Sequence, residues 1–301
     1  MVSTSKIYFK LVVTILFVTL ISCGSGGDDI NEIEEIEIDE TPEDALTTTP
    51  TTETNFVWKN WYLSVPVDRG NGSATSIYYA AIESNSLTAA QSEYFYKNSD
   101  GSYTMYTKYT GFTTSGGPFA LSDGYYCRTE LREFWQGNQT TSDNWSMSSG
   151  THILESTAEV VYCEGSGQTY VAQIHGIETT GLVGAPATVK VQWKNGSLVI
   201  EYYVKPDNGE SWTSTYDEKI TIGKVDNEKF TIKIKIEYGK LYYALVCENK
   251  SINIDYTFVY DYVTNGYLHD NYFKTGNYFK WNSDYEKSAK VILHKVVTSH
   301  T

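Results

Sequence analysis

Cysteine, histidine and long apolar runs are all scarce in this sequence of 301 residues. The four cysteines form no C-x-x-C pair and stand in no Cys/His spacing of the kind that holds zinc. The five histidines are scattered. The apolar run from Leu11 to Cys23 has 13 residues, whereas a helix needs roughly 20 to span a bilayer. No repeat of fixed period is present, and helix signals are weak. The one candidate, residues 74–96, is interrupted by Asn85-Ser86 and by β-branched residues. The formal net charge of −14 is spread unevenly, because residues 1–54 hold 11 of the 37 acids and only 2 of the 23 bases. Residues 55–301 are left with 26 acids and 21 bases, a net of −5. That balance lacks the basic surface nucleic acid requires, so no nucleic-acid partner is expected. It does not forbid a smaller anionic ligand, for which local clusters decide.

The N-terminus carries Lys6 and Lys10, then the apolar run, then Leu20-Ile21-Ser22-Cys23. A basic region, an apolar stretch and small residues describe a secretory signal. The cysteine directly after Leu-Ile-Ser resembles a bacterial lipoprotein signal. That resemblance implies removal of residues 1–22, lipidation of Cys23, and membrane contact through the lipid anchor alone. Residues 23–54 are acidic and then Thr/Pro-rich, with almost no aromatics, the composition of a disordered tether. The acidic run resembles export signals on outer-membrane lipoproteins of Gram-negative bacteria, so an outer-membrane location with surface exposure is expected. With Cys23 committed to lipid, Cys127, Cys163 and Cys247 allow at most one bridge, whose pairing stays open.

What the chain has in quantity is tyrosine, 26 residues, together with Val, Ile, Thr and turn pairs such as Asn195-Gly196. From Phe56 onward short strands alternate with turns. In residues 229–246, Phe230, Ile232, Ile234 and Ile236 alternate with polar residues, and Glu237-Tyr238-Gly239-Lys240 reads as a hairpin turn. Residues 288–298 read as a closing strand. Many short strands without a second linker predict one all-β domain over 55–301: a sandwich of two curved antiparallel sheets, the concave one open to solvent. A monomer is expected.

Three stretches carry chemistry. In Cys127-Arg-Thr-Glu-Leu-Arg-Glu133, strand alternation puts Arg128, Glu130 and Arg132 on one face. Two guanidiniums around a carboxylate make either an array suited to carboxylate recognition or a cross-strand salt-bridge ladder. In residues 170–176, Gln173 and His175 share a face while Ile174 points into packing. A lone strand histidine is usually structural, but beside a glutamine it becomes a candidate acid–base group. In residues 271–281, Tyr272, Lys274, Tyr278 and Lys280 share one face, with Gly276 a gap between them. Phe273, Thr275, Asn277, Phe279 and Trp281 take the other. Packing explains the phenylalanines but not why tyrosines and lysines face one way.

These motifs, in this order, resemble the three signature motifs of the alginate lyases of polysaccharide lyase family 7. Residues 58–68 and 288–297 also resemble that family's opening and closing strands. The resemblance implies a β-jelly roll with the active groove on its concave sheet, and cleavage of alginate by β-elimination without metal or cofactor. It implies Arg128, Gln173, His175 and Tyr278 at the catalytic positions. Glu130, Arg132, Tyr272, Lys274 and Lys280 are then the substrate-binding set along the groove. Lys280 departs from the family pattern, which usually has Gln there.

Each alginate uronate carries a carboxylate on C5, and β-elimination removes the C5 proton and expels the oxygen at C4. Charge builds on the carboxylate in the transition state, so donors aimed at it lower the barrier most. Arg128 and Gln173 take that role, with His175 close by and Tyr278 protonating the leaving oxygen. For guluronate the proton and leaving group lie on opposite faces, so His175 is the base and Tyr278 the acid. For mannuronate they share a face, and Tyr278 serves both steps if nearby cations lower its pKa. Ile174 in the Gln-Ile-His triplet points to guluronate-containing or mixed blocks by the resemblance. The alternatives are a non-catalytic glycan-binding lipoprotein, and a lyase for another polyuronate such as glucuronan.

Overall fold

Period-two alternation governs the architecture. In Phe230–Glu237 the apolar side chains are buried and the polar ones half-buried in strict alternation, so one face must meet a second layer. The computed structural model describes residues 55–120, 126–177, 187–205, 212, 217–279 and 286–301. The signal (1–22), Cys23, the tether (23–54) and Lys280 lie outside the described residues.

Sixteen strands are described. The first eight are β1 (Trp61–Asp68), β2 (Ala74–Tyr78), β3 (Phe95–Lys97), β4 (Tyr103–Lys108), β5 (Cys127–Glu133), β6 (Trp145–Ser146), β7 (Thr151–Cys163) and β8 (Gln168–Gly176). They continue with β9 (Val189–Lys194), β10 (Ser197–Tyr203), β11 (Asp217–Lys224), β12 (Phe230–Glu237), β13 (Lys240–Cys247), β14 (Ile252–Asp261), β15 (Asp270–Phe279) and β16 (Ser288–His300). One sheet has the order β11-β10-β9-β8-β15-β5-β1-β2, with β6 pairing β15; the other runs β14-β13-β12-β7-β16-β4-β3. Their strand pairs are antiparallel, giving a jelly-roll β-sandwich.

Two hairpins follow their turn residues. Glu237 pairs with Lys240 around Tyr238 and Gly239, both at positive φ. Lys194 pairs with Ser197 around Asn195 and Gly196, again both positive. Two consecutive positive φ values make the tight turn that matches strand twist. Residues 74–96, the weak helix candidate, divide into β2, two short helices at Tyr79–Glu83 and Ala89–Ser92, and β3. The second helix has a capping box between Thr88 and Gln91. None of Cys127, Cys163 and Cys247 is bridged.

The core lies between the sheets. Leu131, Ile174, Val191 and Ile200 come from the first, and Leu154, Ile234, Leu245 and Val291 from the second, all fully buried. The central strand β15 also contributes polar groups to it. Asn277 is completely buried, and its amide donates to Met105 O and Ala289 O, both at 2.9 Å, on the opposite sheet. Its Oδ1 accepts from Thr169 Oγ1 at 2.7 Å. Thr275 Oγ1 lies 2.9 Å from Ser156 Oγ across the same gap. These bonds satisfy groups whose isolation would cost about 1–3 kcal/mol each, and they hold β15 at one height and register.

Gly276 sits between these anchors at φ +140°. A Cβ there would lie 2.8 Å from Thr129 O and 3.0 Å from Glu130 Cα, so backbone would have to move. Gly276→Ala is therefore expected to destabilise the fold by about 2 kcal/mol or more. The urea midpoint measures this, and an unchanged midpoint would contradict the close approach.

Candidate active site

Three adjacent strands present their outward side chains to one cleft. β15 pairs with β5 through Lys274 opposite Arg132 and Tyr278 opposite Arg128. It pairs with β8 through Tyr272 opposite His175 and Lys274 opposite Gln173. The resulting cleft, about 410 Å³, is lined by Arg128, Arg132, His175, Tyr272, Lys274 and Tyr278, with Tyr62 and Ser64 from β1 and Thr114 and Ser115 from a loop. The same sheet continues over β9, β10 and β11 into a second polar cleft of about 570 Å³ that includes Gln168, Gln192, Glu201 and Lys219. Among the described residues no group of three or more His, Cys, Asp and Glu could hold a metal ion.

The cations differ in how far they are committed. Arg132 donates to Glu133 O, to Thr141 O at 2.9 Å and to Asn144 Oδ1 at 2.8 Å. Its guanidinium lies 4.0 Å from the Tyr272 ring centre, so it braces that ring while lining the cleft. Arg128 lies 3.9 Å from the Tyr278 ring centre and 3.6 Å from Glu130 Oε2. Its buried Nε has no hydrogen-bond partner among the described residues, which leaves it the less committed guanidinium of the two. Lys274 is ion-paired with Glu130.

Protonation states follow from a contest between burial and charge. His175 Nδ1 lies 3.0 Å from Gly176 O; a carbonyl only accepts, so Nδ1 carries the hydrogen and Nε2 keeps its lone pair. Burial, and then the Lys274 charge, push the imidazole down to about 3, so it is neutral at neutral pH. Its ring stacks on Tyr272 at 5.1 Å. Burial raises the Tyr278 phenol despite the opposing Arg128 charge. Arg128 does pull the phenol down, but desolvation of the phenolate is the larger effect and the net shift is upward. Burial likewise raises Tyr272 to about 12. It lowers Lys274 to about 8, with Arg128 adding to the fall and Glu130 opposing it.

Two expected site residues lie under the cleft, not on its wall. Glu130 is 1% exposed and serves as the common partner of Arg128, Lys274 and Gln173. Expected in the substrate-contact set, it lies beneath the cleft wall with its carboxylate among three donors. Gln173, equally buried, donates its Nε2 to Glu130, and its Oε1 has no partner among the described residues. Sequence reasoning missed Tyr62, Ser64, Thr114 and Ser115, which only strand order and loop path bring here. It also missed Tyr170. Alternation groups Tyr170 with Ala172 and Ile174 on the inner face, but a bulge between Tyr170 and Ala172 places its ring 5.7 Å from Tyr278.

The sequence profile of the alginate lyases matches residues 55–300. The chain belongs to the alginate lyase family. It is accordingly a polysaccharide lyase. A crystal structure of a variant of alginate lyase A1-II′ matches with TM-score 0.61 at 29% identity, over 82% of this chain and 97% of that one. The 1.0 Å structure of the same enzyme, described as a member of polysaccharide lyase family 7, matches with the same score and coverage at 27% identity. Another variant, in complex with a substrate written GGMG, matches with TM-score 0.60 at 26% identity, over 82% and 95% of the two chains. Comparison with curated protein sequences finds no match.

The tautomer and burial of His175 make a direct prediction. Its imidazole resonances are expected to remain those of the neutral form from pH 8 down to pH 5, consistent with a value of about 3. A midpoint near the ordinary value of ~6.5, seen by NMR, would show that water reaches the ring.

Proposed function

We propose that this protein cleaves alginate by β-elimination, with guluronate-containing or mixed blocks preferred. The observation that carries the reading is the pairing of opposite proton states in one cleft. His175 has a free lone pair on Nε2, and Tyr278 keeps its hydroxyl proton beside Arg128, whose Nε has no hydrogen-bond partner among the described residues. The relative bound to its substrate, 26% identical over most of its length, supports the substrate class.

In the proposed reaction the uronate carboxylate meets the Arg128 guanidinium, which lowers the energy of the charge that develops there. Substrate entry would have to draw the buried Gln173 amide up to the cleft wall for its second N–H to support the same carboxylate. Nε2 of His175 takes the C5 proton. The C5–H electron pair becomes the C4–C5 double bond, the C4–O bond breaks, and Tyr278 gives its proton to the departing oxygen. One fragment then ends in a 4,5-unsaturated uronate. Imidazolium and phenolate return to their starting states by net transfer of one proton.

This scheme suits guluronate, whose proton and leaving oxygen lie on opposite faces. For mannuronate Tyr278 would have to begin as phenolate, and its raised pKa works against that. The charge neutralisation comes from Arg128, so turnover is expected with chelator present. Lipidation at Cys23, with residues 23–54 as tether, would hold the domain as a monomer at the outer membrane and facing outward. Protease treatment of intact cells that left the protein uncut would argue against that exposure.

The test is ultraviolet absorbance of the new double bond, recorded with chelator on guluronate-rich and mannuronate-rich alginates. A rise is expected on both, faster on the first. A flat trace with binding retained would favour a glycan-binding role or another polyuronate. His175→Ala is expected to cost guluronate cleavage about 10²–10⁴-fold and mannuronate cleavage less; equal losses would sink the two-group scheme. Tyr278→Phe should abolish both while leaving binding nearly intact.

A further inference from the structure

We propose that Glu130 is the positioning residue of this cleft: its buried carboxylate aims the Gln173 amide, holds the Lys274 ammonium and anchors Arg128. The proposal rests on the lyase reading for its catalytic consequence, but its geometry stands independently. Both cross-strand neighbours of Glu130 are small, Ser64 on β1 and Gly276 on β15. That leaves a slot between strands into which the carboxylate sinks, and it accounts for the gap that Gly276 makes in the row of tyrosines and lysines.

Three groups converge on the slot. Gln173 donates Nε2 to Oε1, while Lys274 Nζ and Arg128 Nη1 approach Oε2. A carboxylate accepts and cannot donate, so the amide has one permitted orientation, and Oε1 of Gln173 must point away from Glu130. A neutral amide at position 130 would allow either orientation and would remove the anion facing two cations. A misplacement of about 1 Å at a reacting centre costs about 10²-fold in rate.

The same arrangement sets the charge on Lys274. Facing its ammonium are Glu130, Arg128 and Arg132 from β5, His175 from β8, Tyr62 from β1, and Tyr272 and Tyr278 along β15. Glu130 is the anion among them that raises Lys274, against burial and two guanidiniums that lower it to about 8. Loss of that anion moves the value further down, so the ammonium is lost at a lower pH.

Glu130→Gln keeps the volume and removes the charge. On alginate, kcat is expected to fall about 10²-fold with KM within about threefold of wild type. The alkaline limb of the rate profile should move about 1–3 units toward acid. An NMR titration of the Lys274 side chain should move the same way, with or without activity. Wild-type kcat, or an unmoved Lys274 titration, would overturn the proposal. If wild-type protein fails to cleave alginate while its Lys274 titration moves in the variant, the lyase reading fails and the positioning geometry stands. Should Glu130→Gln not fold, Glu130→Asp keeps the charge but withdraws it from Gln173 and Lys274. A lowered Lys274 titration is again expected, and a wild-type value overturns the proposal.

Discussion

The buried amide of Asn277 is the contact on which the cleft depends. It is held from three directions, by two carbonyls of the opposite sheet and by the Thr169 hydroxyl of the neighbouring strand. Such a group is costly to leave unpaired and directional when paired, so it fixes where β15 lies against the second sheet. β15 in turn is the strand to which both β5 and β8 pair. From below, Glu133 Oε2 accepts from the Phe273 N–H at 3.0 Å and from Trp145 Nε1 at 3.1 Å. An inner face built of hydrogen bonds, not only of rings, thus holds the outer face in register.

On that outer face, low dielectric does much of the chemical preparation. Burial favours the neutral forms of His175, Tyr272, Tyr278 and Lys274; the guanidiniums partly oppose it for the phenols, and Glu130 alone opposes it for the ammonium. For His175 the cations and burial act in the same direction. The outcome is a neutral imidazole and a neutral phenol lining one cleft. The two guanidiniums are held in the same space by an aromatic ring each and by at least one fixed acceptor or anion.

Much of this was legible in residue order. Alternation in Cys127–Glu133 and Asp270–Phe279 correctly separates Arg128 and Tyr278 from Leu131 and Phe273, since a strand's side chains cannot do otherwise while pairing is regular. It fails where pairing is irregular, as at Tyr170, because a bulge adds a residue that no local pattern announces. It also fails for depth. Glu130 and Arg128 share a face by periodicity, yet one is sunk beneath the cleft and the other lines it, because the neighbours opposite Glu130 are Ser64 and Gly276, residues distant in sequence.

The sequence by itself determined the β-sandwich, the family, the turns at Asn195-Gly196 and Tyr238-Gly239, and the strand faces that carry the chemistry. These follow from periodicity and from backbone preferences that act over a few residues. The tertiary structure alone decided which strands lie side by side, which carboxylate serves as a hub, and which proton each group holds. Burial and Coulomb interactions act between residues far apart in the chain, and only the packed sheets bring them within reach.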